Sequence, residues 1–196
     1  GAVERTIDAG ADRSELPYEV EISANIVATG GFVTSNSATI LLTGNNSGVT
    51  GDIIRNNGNF AVGSDTALGT GRAVLNGAIT TYGGKRTIAT EILFGANAIG
   101  FIGGNNTAGV GAIGGGGNDL KFTGNVNITA GTWQPSVPVA GQVEFAGQIG
   151  ETLGGVGLRK IGFGTLILSN IVTLSGTMET GQDFGGAPGT RLNGGT

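Results

Sequence analysis

The sequence predicts an all-β fold, and more specifically a parallel β-solenoid. Short apolar runs alternate with Gly- and Asn-rich segments along the chain, and Gly supplies 41 of the 196 residues. No stretch of a dozen residues carries an apolar helical stripe without an interrupting Gly. Because each interior Gly costs a helix about 1 kcal/mol, a helical bundle is disfavoured.

The predicted strands are short segments of Val, Ile, Leu, Phe and Thr bounded by Gly, Asn, Asp or Ser. In chain order the strand-bearing segments are Tyr18–Ala28, Ala38–Gly44, Phe60–Gly63, Arg72–Tyr82, Thr90–Ala96, Asp119–Thr129, Gln142–Ile149 and Gly164–Gly176.

Stacked parallel rungs explain both the strands and the corners between them. Rungs stack at about 4.8 Å, and their tight corners require the positive φ that Gly and Asn tolerate. A sandwich or barrel is the competing all-β fold, but it does not explain why Gly and Asn mark almost every corner. At roughly 20 residues per rung we expect about nine to ten rungs and a rod of about 45 Å. The residues expected to point into the core are Val20, Ile22, Ile40, Leu42, Val74, Ile92, Phe122, Val126, Val143, Phe145, Leu166 and Leu168.

Internal matches indicate a block repeat of about 120 residues. Val20–Ile26 (VEISANI) aligns with Val143–Ile149 (VEFAGQI), and Thr39–Gly44 (TILLTG) aligns with Thr165–Asn170 (TLILSN). The tripeptide LNG at Leu75 recurs at Leu192. We therefore treat 1–196 as a single solenoid segment with about 1.6 copies of the block. Residues 1–123 form the first copy and residues 124–196 a partial second copy.

The segment Leu158–Asn170 (LRKIGFGTLILSN) resembles the signature of the autotransporter-associated β-strand repeat. Ala38–Gly77 is similar to the same family through its strand, turn, LGTG and LNG elements in order. This family forms passenger domains of Gram-negative autotransporters and related surface proteins. The resemblance implies a right-handed β-helix displayed outside the cell, on the outer surface of a Gram-negative bacterium. The family's "NTYTGGTTVNAG" element becomes NNSGVTGDIIRNNG in this sequence. The resemblance implies a fold and a cell-surface setting, and it implies no activity.

Composition and charge limit the function classes. The chain has no His and no Cys, which excludes His-based triads, Cys nucleophiles and zinc sites built from these ligands. The net charge of −4 argues against nucleic acid as a partner, and no apolar run is long enough to span a membrane. The acids of the body occur singly rather than as paired carboxylates. We therefore expect no catalytic residues, no metal site, no cofactor and no enzymatic activity.

The charge distribution suggests self-association. Residues 1–21 carry the whole net charge, whereas the remainder of the chain is neutral. Solenoid ends expose unpaired backbone groups, and natural solenoids cap them, but neither end of this sequence shows a cap. We expect head-to-tail stacking of copies, with the acidic segment 1–19 docking on the last rung. The residues proposed for this contact are Glu4, Asp8, Asp12, Glu15, Arg159, Lys160 and Arg191.

Trp133 lies in a Pro-containing segment, where it is either an exposed contact aromatic or a cap over a hydrophobic seam. The expected function is a structural surface protein that builds a fibre, filament or adhesive stalk, with surface glycans as a further partner. Three alternatives remain open: a polysaccharide-binding or polysaccharide-cleaving β-helix protein, a segment of a viral fibre, and a window on one long tandem array.

Overall fold

The computed structural model describes residues 5–8, 18–35, 37–95, 119–129, 131–137, 141–162, 164–180 and 189–192. Within these ranges the chain forms 21 short strands and no helix. The strands are β1 (Arg5–Asp8), β2 (Val20–Ile22), β3 (Val27–Ala28), β4 (Phe32–Ser35), β5 (Thr39–Leu42), β6 (Gly48–Val49), β7 (Ile53–Arg55), β8 (Asn59–Val62), β9 (Arg72–Leu75), β10 (Ile79–Thr81), β11 (Arg86–Ile88), β12 (Glu91–Phe94), β13 (Leu120–Phe122), β14 (Val126–Ile128), β15 (Thr132–Trp133), β16 (Gln142–Phe145), β17 (Ile149–Glu151), β18 (Gly157–Lys160), β19 (Thr165–Leu168), β20 (Met178–Thr180) and β21 (Gly189–Leu192).

Every described strand pair is parallel, and the strands form five sheets. Sheet I has the order β1-β4-β7-β9-β12-β14-β17, and sheet II has the order β10-β8-β5-β2. Sheet III has the order β11-β13-β16-β19-β21, sheet IV the order β15-β18-β20, and sheet V the order β3-β6.

Successive turns of the chain visit the same three faces in the same order. After a strand of sheet I, the chain enters sheet II in the early turns and sheet IV in the late turns. It then passes through sheet V (β3 and β6) early, or sheet III (β11, β13 and β16) later, before it returns to sheet I. In two turns a described strand is missing from this order: β8 leads to β9 with no strand between them, and residues 96–118 separate β12 from β13. This arrangement is a parallel β-solenoid, and it confirms the predicted all-β fold class.

The predicted number of nine to ten rungs is not confirmed, because the seven strands of sheet I correspond to about six turns. Phe32 pairs with Ile53 and Ile53 pairs with Ala73, which matches the expected spacing near 20 residues. The step from Ile92 to Val126 is much longer, since residues 96–118 fall between these two partners. A constant rung length therefore overestimated the number of turns.

Aliphatic and aromatic side chains in register fill the interior of the solenoid. Ile40, Phe60 and Ile79 are neighbours in sheet II and are all fully buried. Nine residues expected in the core are buried, namely Ile40, Leu42, Ile92, Phe122, Val126, Val143, Phe145, Leu166 and Leu168. Val20 and Ile22 belong to the first turn, where they are half-buried against the core.

The inward orientation predicted for Val74 is wrong. Ala73 and Leu75 on either side of it are fully buried, whereas Val74 is half-buried on the outer face. It lies in register with Ile54 and Leu93, which share that outer position. Arg72 lies on the same face two residues earlier and is exposed, so this charged residue, and not the apolar Val74, indicates the parity of the strand.

Glycines at the corner before sheet I allow the rungs to approach closely. Gly31 has a φ of 72°, and a Cβ atom built on it would lie 1.9 Å from the Asp52 carbonyl oxygen. Gly51 and Gly71 occupy the same corner in the next two rungs, where a Cβ atom would also collide with backbone of the rung before. Only Gly fits this corner, as its frequency in the sequence suggested.

The segments matched in the block repeat lie in different sheets. Val20–Ile22 is a strand of sheet II, whereas Val143 and Phe145 belong to sheet III. The same relation holds for Thr39–Leu42 in sheet II and Thr165–Leu168 in sheet III. The matches thus share a local strand and corner pattern, and the division at residue 123 stays a prediction.

Candidate functional site

The first turn leaves the apolar core partly open. In the described residues β1, β2 and β3 are outermost in sheets I, II and V. Ile26 of this turn is half-buried and Val27 is exposed. Four further apolar residues are half-buried, in contrast to their buried register partners in the next rung, Thr34, Ile40, Leu42 and Val49: Ile7, Val20, Ile22 and Ala28.

The last turn that the structure describes also leaves the apolar core partly open. Val172 forms a parallel bridge with Ile149 and extends sheet I by one rung, while β20 and β21 are outermost in sheets IV and III. Val172 and Leu174 are half-buried against the core. Met178 pairs with Leu158, which is 2% exposed, yet Met178 itself is 48% exposed. Both ends of the described solenoid therefore present apolar core residues and strand edges.

The charged residues predicted for self-association lie in different environments. Asp8 is exposed on β1 at the first end, while Glu4, Asp12 and Glu15 lie outside the described residues. At the other end Arg159 is half-buried and pairs in register with Glu179. The backbone of Arg191 pairs with Ile167 in sheet III.

Lys160 does not lie on a docking surface. It is 1% exposed, and its ammonium group donates hydrogen bonds to the carbonyl oxygens of Ile161 and Gly162. The alternation of β18 directs Leu158 and Lys160 inward and Arg159 outward. Lys160 therefore binds carbonyl groups of its own corner from a buried position, and its side chain does not lie on the surface.

The exposed position considered for Trp133 is not observed. Trp133 is 2% exposed and packs against Phe94 and Phe145. Its indole Nε1 is buried and has no hydrogen-bond partner among the described residues. The residue therefore closes a hydrophobic seam, which was the second role considered for it.

Arg55 is a buried cation that the sequence did not reveal. It is fully buried, and its guanidinium donates to the carbonyl oxygens of Ser35, at 3.3 Å, and Ala38. Its Cζ atom lies 5.6 Å from the centroid of the Phe60 ring, as in a cation–π contact. Burial lowers the pKa of Arg55 to about 10, an effect that the negative charge of Glu19 partly opposes. The contacts tie the corner between sheets I and II, so we interpret Arg55 as structural.

Asn46 joins three successive rungs from a fully buried corner. Its Oδ1 accepts a hydrogen bond from the backbone N–H of Ile26 at 2.9 Å, 20 residues earlier. Its Nδ2 donates to the carbonyl oxygen of Ala67 at 2.9 Å, 21 residues later. A side-chain amide suits this position because it supplies a donor and an acceptor at the same time.

Tyr18 and Tyr82 cover the outer face of sheet II. Their rings meet edge to face with centroids 5.7 Å apart, over the fully buried Leu41 and Ala61. Burial and the nearby Glu21 carboxylate raise the pKa of Tyr18. The pair connects the first rung of sheet II with the corner that follows its last strand.

Two shallow grooves lie on the outer surface. One, of about 270 Å³, is lined mainly by uncharged polar groups, including Asn125, Asn127, Gln148 and Thr173. The other, of about 200 Å³, contains the ion pairs Lys85–Asp119 at 2.7 Å and Lys121–Glu144 at 3.0 Å. We refer to the first as the amide groove.

The described residues contain no group of three or more Asp or Glu side chains that could hold a metal ion. Nor do they include a helix long and apolar enough to cross a membrane. No protein-family model matches the chain, and comparison with curated proteins and with solved structures also gave no match. The parallel solenoid is compatible with the β-strand repeat that the sequence resembles, and membership of that family stays a prediction.

Proposed function

We propose that this chain is a structural β-solenoid that stacks end to end with copies of itself and builds a fibre, filament or adhesive stalk. The observation that carries the proposal is the partial exposure of apolar core residues in the first and last turns that the structure describes, above all the 48% exposure of Met178 in an inward column. Unpaired strand edges next to exposed apolar residues favour the addition of another strand. A contact between two different ends does not close on itself, so it propagates a filament.

We further propose that the protein acts outside the cell, on the surface of a Gram-negative bacterium, as a right-handed β-helix without enzymatic activity. The resemblance of Leu158–Asn170 to the autotransporter-associated repeat supports this setting, as does the lack of cysteine. Labelling of intact cells with an antibody against the purified chain tests the location. Signal that requires permeabilised cells contradicts it.

The stacking proposal is tested with two matched charge insertions at exposed apolar residues. Met178→Asp places a carboxylate in the inward column of the last turn, where it must be desolvated when a second copy docks. Leu153→Asp places the same charge in a corner of the preceding turn, at a side chain that is also exposed. We expect electron micrographs to show filaments for the unmodified chain and for Leu153→Asp, but not for Met178→Asp. Filaments of equal length from both variants contradict the proposal.

Denaturing electrophoresis separates stacked copies from one long tandem chain. Stacked subunits dissociate to a band near 19.3 kDa, the mass of this chain. Exposed charge pairs weaken in salt, so filaments held partly by Asp8 and its neighbours should also shorten at high ionic strength. A band many times larger supports a covalent array, and a trimer in solution supports the viral-fibre alternative.

Glycan binding is a second candidate function, and the amide groove favours it. Side-chain amides and hydroxyls supply both donors and acceptors, which suits the hydroxyl groups of a neutral glycan. Binding of immobilised neutral glycans by the purified chain, lost in Asn127→Ala and kept in Asn57→Ala, supports this candidate. Turnover of a glycan, in contrast, supports the polysaccharide-cleaving alternative.

A further inference from the structure

The outward positions of sheet I form one continuous column from the first turn to the last. Thr6 pairs with Val33, and the column passes through Ile54, Val74 and Leu93 to Asn127 and Gly150. Thr173 continues it, because its N–H donates to the Ile149 carbonyl oxygen at 2.8 Å. Among the described residues, Thr6 and Thr173 are thus the first and last members of one column.

The adjacent inward column also ends on apolar residues. This column begins at Ile7, which pairs with Thr34. It reaches Leu174, which lies two residues after Val172, and Val172 is the bridge partner of Ile149. Ile7 and Leu174 are both half-buried against the core. If Thr173 of one copy lies opposite Thr6 of the next, Leu174 comes to lie on Ile7, and both side chains lose their remaining exposure.

The order of strands along the chain is the same in the first and last described turns. In the first turn β2 follows sheet I and β3 comes next, and in the last turn β20 follows Val172 and β21 comes next. A copy that continues sheet I therefore repeats this order of strands across the junction. Head-to-tail stacking also keeps all strands parallel, whereas head-to-head stacking reverses the strand direction at the junction.

We infer that copies of this chain stack in one register, in which Thr173 of one copy pairs with Thr6 of the next. The inference rests on the proposed function, because it specifies the register of the same end-to-end contact. It differs from charge-driven docking in its cause: strand pairing and burial of Leu174 on Ile7 determine the position, and the acidic residues contribute less.

Engineered cysteines test the register directly, since the chain contains no cysteine of its own. Paired residues of adjacent parallel strands lie about 4.8 Å apart, within the Cα range of disulfides. The double variant Thr6→Cys, Thr173→Cys should therefore give a ladder of covalent oligomers on non-reducing denaturing electrophoresis after mild oxidation. Thr6→Cys with Ile171→Cys is the matched control, because Ile171 is exposed on the same face two residues away, at about 8 Å in the inferred register.

The outcomes separate the two proposals. A ladder from the Thr173 pair and not from the Ile171 pair supports the register. Filaments in micrographs with a ladder from the Ile171 pair, or with no ladder from either pair, overturn the register and leave the stacking proposal in place. Absence of filaments from the unmodified chain overturns both.

Discussion

The indole of Trp133 lies 5.1 Å from the Phe94 ring, centroid to centroid, with the ring planes inclined at 30°. Phe145 meets the indole edge to face at 5.2 Å and stacks on Phe122 at 4.9 Å. These four rings come from sheets I, III and IV, so all three faces of the later turns meet in one aromatic cluster.

The position of Trp133 predicts its fluorescence. Because the chain contains one Trp, all indole emission reports this cluster. We expect emission at short wavelength and weak quenching by acrylamide in the native state. The emission wavelength and the acrylamide quenching should both change to the values of free indole when the protein unfolds in guanidinium. The unfolded state serves as the internal control. Strong quenching of the native protein contradicts burial of Trp133.

Asn46→Ala should destabilise the solenoid strongly. The substitution removes the partners of the Ile26 N–H and the Ala67 carbonyl, and leaves both groups unsatisfied. We expect a loss of about 2–4 kcal/mol in the free energy of unfolding, measured by denaturant titration. Asn57→Ala is the control: Asn57 is exposed and accepts only the N–H of the following residue among its described contacts, so the loss should stay below about 0.5 kcal/mol.

A comparison of Gly31→Ala with Gly131→Ala separates the stability cost of backbone strain from the cost of a steric collision. The two residues have φ values of 72° and 78°, but a Cβ atom at Gly131 meets nothing within 4 Å. We expect Gly131→Ala to cost about 1–2 kcal/mol, the penalty of the left-handed region. Gly31→Ala adds the collision with Asp52 and should cost at least about 2 kcal/mol more. Equal losses contradict close packing at this corner.

Glu151 should make stability depend on pH in the acidic range. A hydrogen bond from the Ser175 side chain, together with the N–H groups of Val156 and Ser175, lowers the pKa of Glu151. A carboxyl group whose pKa is lower in the native state than in the unfolded state stabilises the fold at pH values above the unfolded pKa, which is about 4.3. This contribution to stability is lost as the pH falls through the pKa of Glu151 in the native state.

Unfolding curves measured from pH 7 downward test this dependence. Glu151→Gln should lower the free energy of unfolding at neutral pH. It should also reduce the loss of stability that occurs below about pH 4.5. Glu91→Gln is the control, since the amide oxygen can still accept the 3.3 Å hydrogen bond from Asn127. An unchanged acid profile in Glu151→Gln contradicts the role of this carboxylate.

The sequence was sufficient for the fold class because Gly and Asn at corners and Val, Ile and Leu in strands carry strong local signals. Nine of the predicted core residues, Ile40 and Phe145 among them, are buried as expected. Val74 shows the limit of assigning the core from apolar residues alone, because the exposed Arg72 on the same face of β9 indicates the outward position. The number of turns could not be predicted, since the step from Ile92 to Val126 departs from the common spacing.

Buried polar residues were the main features that the sequence did not show. Arg55 and Lys160 follow the inward alternation of their strands, but their residue types suggested solvent-exposed positions. The carbonyl groups that accept from Arg55 belong to the preceding rung, so they become visible only when the rungs are stacked, whereas Lys160 donates to the two residues that follow it. Asn46 is one of many Asn residues in the sequence, and nothing local distinguishes it from the exposed Asn45 beside it.

The parallel pairing of rungs has a mechanical consequence. Its backbone hydrogen bonds run along the long axis, as in the bonds from Thr43 N–H to Ile22 O and from Gly63 N–H to Leu42 O. A pulling force applied along that axis is carried by every junction in series, and the terminal turn, which pairs with a neighbouring turn on one side, should peel away before the next one opens. Each released turn of about 20 residues lengthens the chain by roughly 60–65 Å, since an extended residue spans about 3.3 Å and the rung gives up about 4.8 Å. Such a rod yields turn by turn under tension, with a longer step where the turn between Ile92 and Val126 opens.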